Sequence, residues 1–358
     1  MTTPRRRRAS RGRGIFFTAL LFGTVWAGAH GAQARDFTLA APPGALIVAL
    51  KTAYLDPFAS ANGITANGLS WDGDYADLVQ NAGIYTPWDV VLVTMPVLEE
   101  GCARGVLQKL DWNALGGRDR YPAFATSDCG VGAFMTSVVL SWDNDKLQGT
   151  PSWADFWDVA KYPGKRGLRR DPRITLEIAL LADGVAAGDV YATLRTEDGI
   201  KRAFRKLDQL RPYIVWWEKP EEAVRILGEG KVLMTMAPSA EVAAADRDGT
   251  HHFGLQWNES LYRVKSFAIV TGSPNIPLAQ KFLAFVGDPG AEARLFAAIA
   301  YGPLAKGALE QIPPERRGQA PSNPANLKTA LAYDENFWEQ NAAKLTSRFE
   351  TWLDQSPH

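Results

Sequence analysis

Two cysteines and four histidines are all that this 358-residue chain offers to thiol or imidazole chemistry. No C-x-x-C pair and no Cys/His cluster at metal-ligand spacing occurs, which excludes a dithiol redox motif and a structural zinc site. His251 and His252 adjoin in a turn after "DRDGT" and read as solvated, and His358 ends the chain. No adjacent tyrosines supply hard oxygen ligands to a ferric ion. Neither a G-x-S-x-G elbow nor a phosphate-loop glycine pattern is present. An excess of one charge is missing too, since 39 basic residues balance 39 acidic ones. Six of the basic ones precede Arg35, so the remainder is mildly acidic, 33 against 39, and carries no basic footprint for nucleic acid. After residue 34 no segment is apolar over the ~20 residues that a bilayer span requires.

What is present begins with "TTPRRRRASRGRG", followed by the apolar run "IFFTALLFGTVWAGA" and small residues at Ala32 and Ala34. This three-part pattern predicts a secretory signal peptide over residues 1–34 with cleavage after Ala34, and therefore a periplasmic protein. Export makes the even pair Cys102 and Cys129 a disulfide candidate. Closing so short a loop stabilises by roughly 3 kcal/mol on the loop-entropy model.

Downstream the apolar spacing alternates between periods of two and of three to four. "RDFTLAA", "GITANGLSW" and "WDVVLVTMP" read as strands, with "ALIVALKTAYLDPFASANG" and "DYADLVQNAG" as the helices between them. The rhythm returns after residue 150. "KRGLRR", "YIVWW" and "VLMTMAP" are strands there, and "RITLEIALLADG", "EDGIKRAFRKLDQL" and "PEEAVRILGEG" are helices. Such alternation implies parallel sheets with right-handed crossovers, and the length suits two α/β lobes. The last helix, "DENFWEQNAAKLTSRFETWL", carries Phe337, Trp338, Leu345, Phe349 and Trp352 as one apolar stripe.

Twelve tryptophans are numerous for such a chain. Most read as packing residues, because an indole buries a large area while its N–H finds an acceptor nearby. Trp216, Trp217 and Glu218, at a strand end, are cleft candidates, since ligands of α/β sheets sit beyond the carboxyl ends of strands. In "YRVKSFAIV", Arg263 and Lys265 share one face of a strand. Either they look into a site, or they meet water or pair with Glu259 or Asp89.

Taken in order, "WDGD", "WDVVLV", "GCARGVLQKLDW", "CGVGAFMTSVVLSWDNDKL", "PSWADFWDVAKYPGKRGLRR", "RAFRKLDQLRPYIVWWE", "AVRILGEGKVLMT", "KSFAIVTGSPN" and "AIAYGPLAKGAL" resemble the extracellular solute-binding proteins of ABC importers, in the spermidine/putrescine-binding family. The resemblance covers nearly all of the chain after residue 34. It implies a type II periplasmic binding protein, α/β in class, whose two lobes close on a small molecule by a hinge of crossover strands near residues 135–141 and 262–267. Residues 35–136 and 266–358 would form lobe 1 with the C-terminal helices, and residues 137–265 lobe 2. It further implies a monomer without cofactor that delivers its ligand, a polyamine or small organic solute, to a permease in the inner membrane.

Polyamine binders of this pattern place an acid where Lys265 stands, and often another at the helix start occupied here by Ile174, beside Arg170 and Arg173. An unpaired lysine opposite a dication in a closed cleft costs several kcal/mol, so an anionic or zwitterionic ligand is expected. By the same matching Thr94, Thr136, Ser137 and Ser239 supply neutral hydrogen bonds, Glu241 an acid and Tyr301 an aromatic wall, with Arg173, Trp217, Glu218, Arg263 and Lys265 completing the set. Two other functions use the same cleft: an exported enzyme working through Asp72 or Glu218, and a sensory protein that presents its ligand to a membrane receptor.

Overall fold

The computed structural model describes residues 35–83, 85–247 and 249–355. The signal segment expected over residues 1–34, and His358, lie outside them.

Among the described residues nine strands form one mixed sheet: β1 (Phe37–Ala41), β2 (Ala66–Ser70), β3 (Val90–Val93), β4 (Gly130–Asp143), β5 (Arg166–Arg169), β6 (Ile214–Trp217), β7 (Met234–Pro238), β8 (Phe253–Ile269) and β9 (Leu331–Ala332). The order is β2-β1-β3-β8-β4-β7-β5-β6, with β9 beside β8. Each end is parallel, β1 with β2 and β3, and β5 with β6 and β7. Strands β1 and β3 are buried throughout, as expected of parallel strands covered on both faces.

The middle departs from the purely parallel expectation. Strands β4 and β8 run antiparallel from Gly130 opposite Ala268 to Asp143 opposite Phe253, with irregular register between Gly132 and Phe134 and between Val138 and Leu140. These two strands thread two cores. Phe134 and Phe267 lie in one with Phe37, Tyr54, Phe58 and Phe282. Leu140, Trp142 and Leu261 lie in the other with Trp153, Phe156, Leu168 and Met236. Bulges bend a strand and sharpen its twist, so the pair is kinked where it passes between the cores.

Local caps start several helices where the sequence places them. Asp74 accepts from the Asp77 N–H, and Ser152 and Asp155 form a reciprocal capping box. The Cys102–Cys129 disulfide ties the helix Met95–Ala103 to the residue before β4. The stripe of the last helix, Glu335–Asp354, packs on the second core, with Trp216 set edge-on to Phe349 and Trp352.

Asp89 is fully buried. It pairs with Arg35 at 2.8 Å and also accepts from Thr38 N, Ser273 Oγ and Asn275 Nδ2. Pairing of Arg263 or Lys265 with Asp89 is thereby ruled out, because the carboxylate is saturated by other donors.

Candidate functional site

Strand β8 alternates faces, and Leu261, Arg263 and Lys265 all face one cavity of about 260 Å3. Across the ladder Thr136 stands opposite Arg263. Thr136, Ser137 and Val138 of β4 line the same space. The turn after β7 adds Ser239 and Glu241, and Tyr301 closes one side, stacked on Phe134 at 4.7 Å. Seven sequence-predicted residues therefore meet: Thr136, Ser137, Ser239, Glu241, Arg263, Lys265 and Tyr301. Ser137 spends its hydroxyl hydrogen on the Leu261 carbonyl at 3.1 Å, which leaves its oxygen lone pairs for a donor.

A second space of about 570 Å3 continues past Arg169 and Arg263, which line both. Here stand the predicted Thr94 and Arg173, with Asp72, Tyr333 and Glu335. Arg173 is held by Asp171 at 3.0 Å. Trp217 and Glu218 lie elsewhere. Trp217 is buried in the second core, and Glu218 is a solvent-facing partner of Arg170 at 3.5 Å. Strand β6 is the edge of the sheet, one strand beyond β5, so Trp217, opposite Arg169, packs into the second core while Arg169 reaches the cleft.

The charges in the cavity are poorly compensated. Neither Arg263 nor Lys265 has an ion pair among the described residues. Arg263 lays its guanidinium over the Tyr333 ring at 3.9 Å. Burial pushes the Lys265 ammonium down to about 8, against the pull of the Glu335 carboxylate and with a further push from Arg263. Opposite in sign, Glu241 is half-buried and also unpaired. Burial, assisted by the Glu221 carboxylate, holds its carboxyl above the usual range. Burial and the Glu241 charge push the Tyr301 hydroxyl up to about 12, so it remains a hydrogen-bond donor.

Arg169, Pro220, Tyr333 and Glu335 escaped sequence reasoning as cleft residues. For Arg169 a signal existed, its position at the carboxyl end of a strand. Ile174 lines the cavity with φ of 69°, a conformation rare for a β-branched side chain. It breaks the helix Pro172–Ala182 just before Thr175, whose hydroxyl donates to the Arg169 carbonyl at 3.3 Å.

The model of the bacterial extracellular solute-binding proteins matches residues 53–326. A gamma-aminobutyric acid-binding protein of Pseudomonas aeruginosa is 39% identical over 340 residues, covering 94% of this chain and 96% of that one. Among solved structures, an ABC transporter substrate-binding protein from Bradyrhizobium japonicum superposes with a TM-score of 0.76 at 33% identity, over 89% of this chain and 99% of the other. The Atu4243-GABA receptor gives 0.76 at 26% identity, over 90% and 99%. A family model spanning most of the chain, joined to a cleft lined by recognition groups and crossed by two long strands, places it: the chain belongs to the bacterial extracellular solute-binding protein family, as the substrate-binding component of an ABC transporter.

Proposed function

We propose that the protein captures a small amino acid whose ammonium and carboxylate stand apart, 4-aminobutyrate being the compound to test, and delivers it to an inner-membrane permease. The carboxylate faces Lys265 and Arg263, the ammonium faces Glu241, and Thr136, Ser137 and the Tyr301 hydroxyl supply neutral hydrogen bonds. Residues 137–265, with the helix Glu335–Asp354 packed on their core, act as one lobe and residues 35–136 with 266–334 as the other, in a monomer that closes about β4 and β8.

One observation carries this reading. Lys265 and Glu241, opposite in sign and each without an ion pair among the described residues, line the same cavity of about 260 Å3. Burying unpaired charges is costly, and a zwitterion relieves both at once. A diamine relieves only Glu241 and sets a cation against Lys265. The 39% identical relative is named for 4-aminobutyrate, in agreement.

Titration calorimetry of the exported protein with 4-aminobutyrate, butyrate and putrescine tests it. The zwitterion should bind at least about tenfold more tightly than either, one tenfold step being 1.4 kcal/mol. Putrescine binding tightly, and no more tightly after Lys265→Asp, overturns the reading in favour of a polyamine.

A further inference from the structure

The last helix, Glu335–Asp354, belongs physically to the second core. Phe337, Trp338, Leu345, Phe349 and Trp352 are buried there. Trp338 donates to Glu177 at 2.6 Å and Trp352 to Asp208 at 2.7 Å. Arg195 holds Asp334 at 2.5 Å, and Arg348 binds Glu197 at 2.6 Å. The helix is thus anchored along its length to residues 177–208.

Its first turn reaches the other way. Glu335 Oε2 accepts the backbone N–H of Met95 at 2.8 Å, and Asn336 Nδ2 meets Glu99 at 3.4 Å. Met95 opens the helix Met95–Ala103, whose Leu98 is buried with Trp71, Trp88 and Val91 beside the first core. The Thr94 side chain makes no cap bond. A carboxylate from one half of the molecule thereby takes the capping place of a helix in the other half, where the dipole favours negative charge. The second oxygen, Oε1, is buried without a partner among the described residues, and Glu335 lines the cleft beside Arg169, Arg173 and Arg263. The halves also meet through a small apolar cluster, Ala243 with Phe296 and Ala300.

We propose that Glu335 is a latch: its carboxylate bridges the two halves beside β8, where it and Met95 share a pocket with Tyr262, Arg263 and Val264, and holds the cleft closed by its bond to the Met95 N–H. This rests on the binding-protein reading and adds to it the regulation of the same site. Opening breaks the Glu335–Met95 bond and exposes an uncapped helix start, so the latch biases the ligand-free protein toward closure and slows release of a bound ligand. An in-chain carboxylate with a stake in the closed state sets the closed fraction before any ligand arrives, and a ligand then needs less differential affinity to complete closure.

Distances between spin labels at Val79→Cys and Gln209→Cys, one on each half, report the opening without ligand. In the ligand-free protein the short-distance population should dominate. Glu335→Ala should lower the ratio of short to long populations about tenfold, as loss of a charge-assisted hydrogen bond implies. Glu335→Gln, which keeps an acceptor for Met95 N–H, should fall between. Glu350→Ala, at an exposed position further along the same helix, serves as control. Unchanged distances in both Glu335 variants, an equal shift in the Glu350 variant, or an already open ligand-free protein overturns the latch. Failure of 4-aminobutyrate to bind in calorimetry would count against the ligand assignment and leave these ligand-free distances intact as the measure of the latch.

Discussion

Replacing Lys265 with methionine should move stability and binding in opposite directions. The lysine loses hydration in the cavity and gains no ion pair among the described residues, and burial, with a push from Arg263, takes its pKa from 10.5 to about 8. A depression of that size corresponds to roughly 3 kcal/mol of unfavourable charge burial at neutral pH, an upper bound once solvent relaxation is allowed for. Methionine fills a similar volume with no charge to desolvate. Lys265→Met should therefore raise the melting temperature of the ligand-free protein by about 1–3 °C, the gain at this chain length for ~1–2 kcal/mol. Binding of 4-aminobutyrate should weaken by about 10- to 100-fold, the worth of a charge-assisted hydrogen bond. The pH dependence gives a second check with a definite sign. Only protonated Lys265 attracts a carboxylate, so affinity in the unmutated protein should decline as pH rises through about 8, and the methionine variant should lack that decline. Differential scanning calorimetry and titration calorimetry from pH 6.5 to 9.5 measure both. A variant that melts lower, or one that binds 4-aminobutyrate with unaltered affinity and pH profile, refutes the reasoning.

Two further outcomes concern buried carboxylates away from the cleft. Burial pushes Glu292 up to about 8 although Leu304 and Ala305 N–H groups donate to it, so folding takes up a proton between the unfolded value near 4.5 and about 8. Its contribution is present below pH 4.5 and is lost as pH rises to about 8. Glu292→Gln should flatten that fall, and a melting-temperature profile from pH 5 to 8.5 that keeps the unmutated slope refutes the assignment. Asp89→Asn should cost about 3 kcal/mol in urea unfolding, because it leaves the Arg35 guanidinium facing an uncharged amide and sets an NH2 group among donors. A loss below ~1 kcal/mol would show that the charge there is immaterial.

Much of the architecture was legible before any coordinates. The alternation of periods two and three to four marks β1, β2, β3, β5, β6 and β7 and the helices between them, because each element must bury one face or stripe. Capping residues such as Asp74, Ser152 and Asp334 act locally and are readable locally. The apolar stripe of the last helix foretells that it packs, though not on what. The family resemblance, carried by many short segments in order, points to a solute-binding protein, and the match over residues 53–326 agrees at the family level.

What the sequence by itself determined is the set of faces: Arg263 and Lys265 lie on one side of a strand, Trp217 ends another, and Cys102 and Cys129 are an even pair in a chain with an export signal pattern. The tertiary structure alone decided what each face meets. The sheet order β3-β8-β4-β7 brings together strands far apart in sequence, so Lys265 shares a cavity with Glu241 and Tyr301, while Trp217 turns into the core and Glu218 into solvent. One residue of phase separates Arg169 in the cleft from Arg170 on Glu218, and no local rule sets that phase. Glu335 reaches Met95 across 240 positions of chain, and the Glu335–Asp354 helix docks where buried aromatic area directs it. Periodicity is a property of neighbours along the chain, whereas a site is made by neighbours in space, and the second follows only when the packing of all layers is settled together.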